Sequence, residues 1–262
     1  MPAVRRVTLC RVDPLLDALP AAGELAVLAV AAVLIGLAKT AVGGLASISV
    51  AAFAAVLPAR ESTAAVLLLL LVGDVYAVRH YRQHADVTLL RRLLPAVVPG
   101  VLLGTLLLAT VEDQVLRRLI GTLLLLLAVL QVLLWRRGSR TEGTAARPVA
   151  TWATGTAIGF TTMVANAGGP VMTLYLLALG VGKLRFLGVT SWFFLLLNLA
   201  KVPFSLALGL FTTVVLATAA VLWPGVLLGA WLGTRIVRRI SDRQFEVAVL
   251  AASTLAAVPL LL

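Results

Sequence analysis

The sequence predicts an all-α integral membrane protein made of two homologous halves in inverted orientation. Three observations lead there. Apolar runs near the length needed to cross a bilayer recur along the chain. Only 13% of the residues are charged and 61% are hydrophobic, whereas soluble domains average about 25% charged and under half apolar. Three landmarks share one offset: PGVLLG occurs at Pro99–Gly104 and Pro224–Gly229, Gly43-Gly44 is matched by Gly168-Gly169, and Arg60 by Arg185, each pair 125 residues apart. Internal repeats of this kind are the usual architecture of secondary transporters.

Residues 1–22 lack the continuous apolar core of a signal peptide and are expected to form a surface segment. The first repeat covers 23–135, the polar linker RRGSRTEGTAAR covers 136–147, and the second repeat covers 148–262. Apolar segments fall at about 24–57, 62–78, 93–110, 115–135, 148–180, 186–208, 211–234 and 244–262. Two of them, 24–57 and 148–180, are longer than one span needs. Both carry Gly-Gly near the middle. Each is either one long, tilted, broken helix or a hairpin of two half-length helices that leaves on the side it entered.

Loop charge favours the hairpin, with three crossings per half. Place the linker in the cytoplasm. Arg79, Arg82, Arg91, Arg92, the linker arginines, Lys183, Arg185, Arg235, Arg238, Arg239 and Arg243 then share its side. Arg5, Arg6, Arg11, Arg60, Arg117 and Arg118 face the other side, an asymmetry that fits the positive-inside rule. With eight full crossings the basic loops at 79–92 and 235–243 would lie on opposite faces. Non-helical tips inside a membrane must be buried in protein or face water.

The net charge of +11 therefore reflects loops, not nucleic-acid binding, since no basic stretch is interleaved with stacking aromatics. Cys10 is the one cysteine, so an intrachain disulfide or Cys-based cluster is excluded. His80 and His84 stand at i, i+4 with only Asp86 nearby as a third ligand, and no metal site is expected. There is no Walker motif, nucleophile elbow or HExxH, so neither an enzyme nor a cofactor is expected.

The two long segments hold the candidate site. Gly36 to Pro58 reads GLAKTAVGGLASISVAAFAAVLP, and Gly159 to Gly182 reads GFTTMVANAGGPVMTLYLLALGVG. Glycine closes tight turns and lets a ligand approach the main chain. A helix that starts after such a tip presents unpaired N–H groups and the positive end of its dipole. Two such starts meeting near mid-membrane make an anion site without any full charge. Gly43, Gly44 and Ser47 belong to one tip, and Gly168, Gly169 and Pro170 to the other. Pro170 suits a first turn. Close helix packing is the alternative role for the glycines.

Lys39 and Thr40 precede the first tip. A lysine within an apolar segment costs about 2.5–3.5 kcal/mol on insertion scales. Lys39 is therefore assigned to an anion or a proton, with snorkelling as the alternative. Lys201 repeats the anomaly, with Asn198 three residues earlier on the same face and Pro203 just beyond. Asn166, in ANAGGP, offers amide donors to an anion or caps the next helix. Asp74 lies beside the position that the repeat matches to Asn198. It is the proton-coupling candidate, and its alternative is a cap or a pair with Arg79.

A lysine and Gly-Gly in the first long segment, Gly-Gly-Pro in the second, and a repeated PGxxLG with a following basic loop resemble the TauE/SafE family. These are the sulfite-exporter-like permeases of bacterial membranes. The resemblance covers about Gly23 to Leu262. It implies transport of small sulfur-containing anions such as sulfite, sulfoacetate or related sulfonates across the bacterial inner membrane.

Residues and resemblance together predict a secondary transporter of small inorganic or organic anions, in which one repeat rocks against the other to alternate access. Its partners are the anion and the lipid bilayer. Proton coupling and a homodimer stay open. The rival readings are a passive anion channel, a membrane assembly partner, or an intramembrane lipid or phosphate enzyme. The last needs a convergent acid/base set, of which only Asp74 is present.

Overall fold

The structure, a computed structural model, describes residues 19–41, 45–136, 147–241, 243–245 and 247–248. Gly43 and Gly44, most of the linker and most of the last apolar segment lie outside these residues. Nine α-helices follow one another among the described residues: α1 (Ala22–Thr40), α2 (Ala46–Val56), α3 (Ala59–Tyr81), α4 (Val87–Thr110), α5 (Asp113–Arg136), α6 (Pro148–Ala165), α7 (Gly168–Ala178), α8 (Lys183–Ala207) and α9 (Thr213–Arg239). A 3-10 turn, Arg82–His84, extends α3. Among the described residues, five helices are long and apolar enough to cross a membrane: α1, α3 with its turn, α4, α8 and α9. The chain is an integral, multi-pass membrane protein. Helices α2 and α7, of 11 residues each, are apolar but short.

Both over-long segments are broken. Their arms are unequal, where the sequence suggested two half-length helices. In the first segment α1 has 19 residues and α2 has 11, or about 28 Å against 16 Å at 1.5 Å per residue. In the second, α6 has 18 and α7 has 11. Each break therefore lies near the far end of a long arm.

Local chemistry sets the helix ends. Asp86 caps α4 by accepting from the N–H groups of Thr88 and Leu89, at 2.9 and 3.1 Å. Thr212 caps α9, and Pro148 opens α6 in the first turn. The first turn of α3 is capped by a different helix: Asp113 of α5 accepts from the N–H groups of Ala59 and Arg60, at 2.9 and 3.1 Å. Arg117 of α5 donates to Ala54 O at 2.7 Å, which holds the end of α2 near the start of α3. Pro95, Pro99, Pro203 and Pro224 lie inside helices. At Pro203, where a weakened helix was expected, α8 continues to Ala207. On the surface, Asp86 pairs with Arg185, and this hydrogen bond, with the Leu89 N–H, holds the Asp86 carboxyl below its ordinary range.

Glycines set the packing. Helix α9 lies along α1: Gly225 faces Ala29 and Ala32, Gly229 faces Val33 and Leu37, and Gly233 faces Thr40. Helix α4 lies along α6 in the same manner: Gly155 faces Ala96, Gly159 faces Val97 and Val101, and Gly104 faces Met163. In both pairs the contacts advance in the same direction, so the partners are parallel. The repeated PGVLLG, read from sequence only as a landmark, is thus a contact surface on α4 and again on α9. Small residues let membrane helices approach closely. Helices α3 and α8 are antiparallel, with Asp74 beside Asn198 and Gly188 beside His84.

These distances predict a contrast within one motif. A Cβ at Gly229 would stand 1.9 Å from the Val33 carbonyl oxygen, whereas one at Gly225 would stand 3.4 Å from Ala32 Cβ. Gly229→Ala is expected to lower the melting temperature of the purified protein clearly, since overpacking costs about 1–3 kcal/mol. Gly225→Ala is expected to change it little. Equal melting of the two variants would refute this packing.

Candidate functional site

Helices α1, α2, α3, α6, α7 and α8 enclose a cavity of about 50 Å³. One water needs roughly 10–15 Å³ by the same measure, so the space suits a few waters or a small oxyanion. Lys39, Asp74, Asn166, Gly169 and Asn198 line it, with Ala46 at the start of α2. Thr162, Thr173, Thr190 and Ser191 add hydroxyls, and Leu70, Phe186, Leu187 and Phe194 form an apolar wall.

The α1 end of the cavity is built around an ion pair. Lys39, in the last turn of α1, places its Nζ 2.7 Å from Asp74 Oδ1. Asn198 Nδ2 donates to the other oxygen, Oδ2, at 2.6 Å. The Lys39 ammonium also lies 4.6 Å from the Phe194 ring centre, a cation–π contact. Gly73 leaves room for the lysine stem: a Cβ there would stand 3.0 Å from Lys39 Cγ. Asp74 is fully buried, and 10% of the Lys39 side chain is exposed. The lysine does not snorkel, and Asp74 pairs with Lys39 rather than Arg79. Thr40 anchors the end of α1: its hydroxyl donates toward Gly36 O and Ala230 O, at 3.1 and 3.0 Å. Its own carbonyl accepts from Tyr81 Oη at 2.9 Å.

The α6 end is built around Asn166. This residue ends α6 in the left-handed region, at φ 50°, where asparagine is tolerated better than most residues. Its Nδ2 donates to Thr63 O at 2.9 Å. Its Oδ1 accepts from Lys201 Nζ at 2.6 Å, and the same ammonium donates to Thr162 O at 2.7 Å. Both ends of the amide are engaged, and Asn166 does not cap α7, whose N-cap residue is Ala167. Lys201 is 1% exposed and does not snorkel either. Thr63 and Asp74 lie eleven residues apart on α3, about 16 Å. The two breaks thus contact α3 at different depths, and residues of both, Lys39 and Ala46 on one and Asn166 and Gly169 on the other, line the cavity.

The electrostatics are matched at each break. Lys39 sits in the last turn of α1, and Lys201 donates to a last-turn carbonyl of α6. Both positions complement the negative helix end. The positive ends, at the starts of α2 and α7, have no side-chain cap.

The other sequence-predicted residues sit around this core. Gly168 packs where a Cβ would meet Ile158, Thr162 and Phe194 at 3.0–3.2 Å. Ser47 and Pro170 are buried in the first turns of α2 and α7, while Gly43 and Gly44 fall outside the described residues. Thr162, Thr190, Ser191 and Phe194 were not anticipated. A signal existed for two of them: Ser191, Phe194, Asn198 and Lys201 recur at intervals of three and four along α8, which is one helix face. His80 faces Arg238, with 3.1 Å between its Nε2 and the guanidinium.

A family model described as Sulfite exporter TauE/SafE matches residues 28–260. No curated protein and no solved structure matches the chain.

Proposed function

The chain belongs to the sulfite exporter TauE/SafE family, a transporter family, and from that we propose that it is a secondary transporter of small anions: sulfite, organosulfonates or related sulfur compounds. It works by alternating access across the bacterial inner membrane, with the 136–147 linker in the cytoplasm. The observation that carries this reading is the cavity itself. It is lined by one face of a buried lysine–aspartate pair, by two amides and by the first residues of two helices that lack side-chain caps. Lys39 and the N–H groups at the starts of α2 and α7 hold the anion; Asn166 and Asn198 orient it, and Lys201 holds the α6–α7 break.

Two repeats, 23–135 and 148–262, in inverted orientation account for the helix pairing. If α1–α2 and α6–α7 are hairpins entering from opposite faces, α1 and α9 both run inward, and α4 and α6 both run outward. Both pairs are then parallel, as the glycine contacts require. Each close pair joins helices of different halves. These contacts favour the pairs as the moving units of alternating access over one intact half rocking on the other.

Sulfite and methanesulfonate uptake into proteoliposomes tests the function. Uptake is expected to saturate and to show counterflow with internal anion. Flux that rises linearly with concentration and shows no counterflow would make the protein a channel.

A further inference from the structure

We propose that the anion and a proton enter this site together, because Asp74 occupies the position on Lys39 that the anion must take. The proposal rests on the transporter reading above and adds its coupling.

Asp74 is 0% exposed and holds the one carboxylate on the cavity. One of its oxygens pairs with the Lys39 ammonium, and the other accepts from Asn198. An anion that binds Lys39 displaces this carboxylate. Asp74 then has no cation facing it, and a buried, unpaired carboxylate takes up a proton instead of remaining charged. The exchange balances: ammonium–carboxylate plus anion plus proton becomes ammonium–anion plus carboxylic acid. The charge inside the site is the same before and after, so the membrane interior is not asked to hold a new one.

The second observation is Asn198. Its Oδ1 is buried with no hydrogen-bond partner, while its Nδ2 serves the ionised Asp74. A protonated carboxyl is itself a donor. Rotation of the amide by half a turn would present Oδ1 to that new O–H, and the orphaned acceptor would be satisfied. Asn198 can thus partner either protonation state of Asp74, which a leucine of the same size could not.

The groups around Asp74 leave this exchange to Lys39. Helix α1 presents Lys39. Helix α8 presents Asn198 and, one turn on, Lys201, whose ammonium turns to Thr162 and Asn166. Helix α9 presents Arg238, which faces His80, well past Asp74 along α3. Helix α5 presents Asp113 at the far end of α3. Helix α2 carries no ionisable residue.

The sign follows directly. The proton is absent from the free site and present in the complex, so affinity rises as pH falls. With one proton taken up per anion, the dissociation constant should increase roughly tenfold per unit of rising pH. Methanesulfonate is the probe, since its own charge is fixed across the assay. Its affinity for the wild-type protein in weakly buffered detergent is measured against pH by calorimetry, together with the protons taken up. Asp74→Asn cannot ionise and is expected to bind with an affinity independent of pH. Saturable binding without a pH slope or proton uptake in the wild type would overturn the coupling and leave the transporter reading standing. Absence of methanesulfonate and sulfite binding at every pH would overturn both. Wild-type binding alone decides the matter if Asp74→Asn does not fold.

Discussion

Lys39→Ala is expected to abolish anion uptake in proteoliposomes. The substitution removes the cation that the cavity offers its ligand, and it also strands Asp74. A buried ion pair broken on one side costs about 3–5 kcal/mol, because the remaining charge has no partner. Asp74 has no exposed surface to recover that loss. The single variant should therefore melt at lower temperature as well as fail to transport. Lys39→Ala with Asp74→Asn separates the two effects. The double variant removes both charges, so most of the stability should return, a non-additivity expected of groups in contact. Uptake should not return, since no ammonium is left for the anion. Uptake at wild-type rate in either variant would remove Lys39 from the mechanism. Failure of the double variant to regain stability would place the damage in packing against Phe194 or Gly73 instead.

The residues of this site could be picked out in the sequence because lipid makes them conspicuous. Lys39, Lys201, Asn166 and Asn198 interrupt apolar runs, and an interruption inside a membrane is expensive unless something compensates it. The breaks were visible for the same reason, since two segments were too long for one span. Periodicity shows which face a residue occupies but not what that face meets. Lys39 and Asp74 belong to different helices and meet at 2.7 Å, and nothing in the spacing of either segment names the other. Phe194 was hidden in the same way. It lies in SWFFLLLN, where one aromatic looks like the next, and only the position of the Lys39 ammonium distinguishes it. The glycines of PGVLLG marked the repeat, while their role in bringing α9 onto α1 and α4 onto α6 depends on the partner helix. The unequal arms follow from the same blindness. Gly-Gly near the middle of a segment suggests equal halves, yet Thr40 is held by Gly36, Ala230 and Tyr81, and α1 runs as far as those contacts support it.

Substitution of Asn166 is expected to have the largest effect on stability at the second break, and two variants divide its causes. Asn166→Gly removes the donor to Thr63 O and the acceptor of Lys201 Nζ but keeps a residue suited to φ 50°. Hydrogen bonds to charged groups contribute about 1.5–3 kcal/mol, and the Lys201 ammonium would be left buried with Thr162 O as its remaining acceptor. Asn166→Ala loses the same bonds and adds the left-handed penalty of a Cβ, roughly 1–2 kcal/mol. Chemical denaturation in detergent should therefore rank wild type above Asn166→Gly, and Asn166→Gly above Asn166→Ala. A glycine variant as stable as wild type would show that the Lys201–Asn166–Thr63 chain does not hold the break. Equal stability of the two variants would show that the backbone at 166 relaxes out of its left-handed conformation. The ranking also bears on transport. The start of α7 follows Asn166 directly and contributes Gly169 to the cavity, so a break that loosens misplaces one of the two helix ends that face the anion. Uptake should then fall through a raised KM before it falls through the maximal rate.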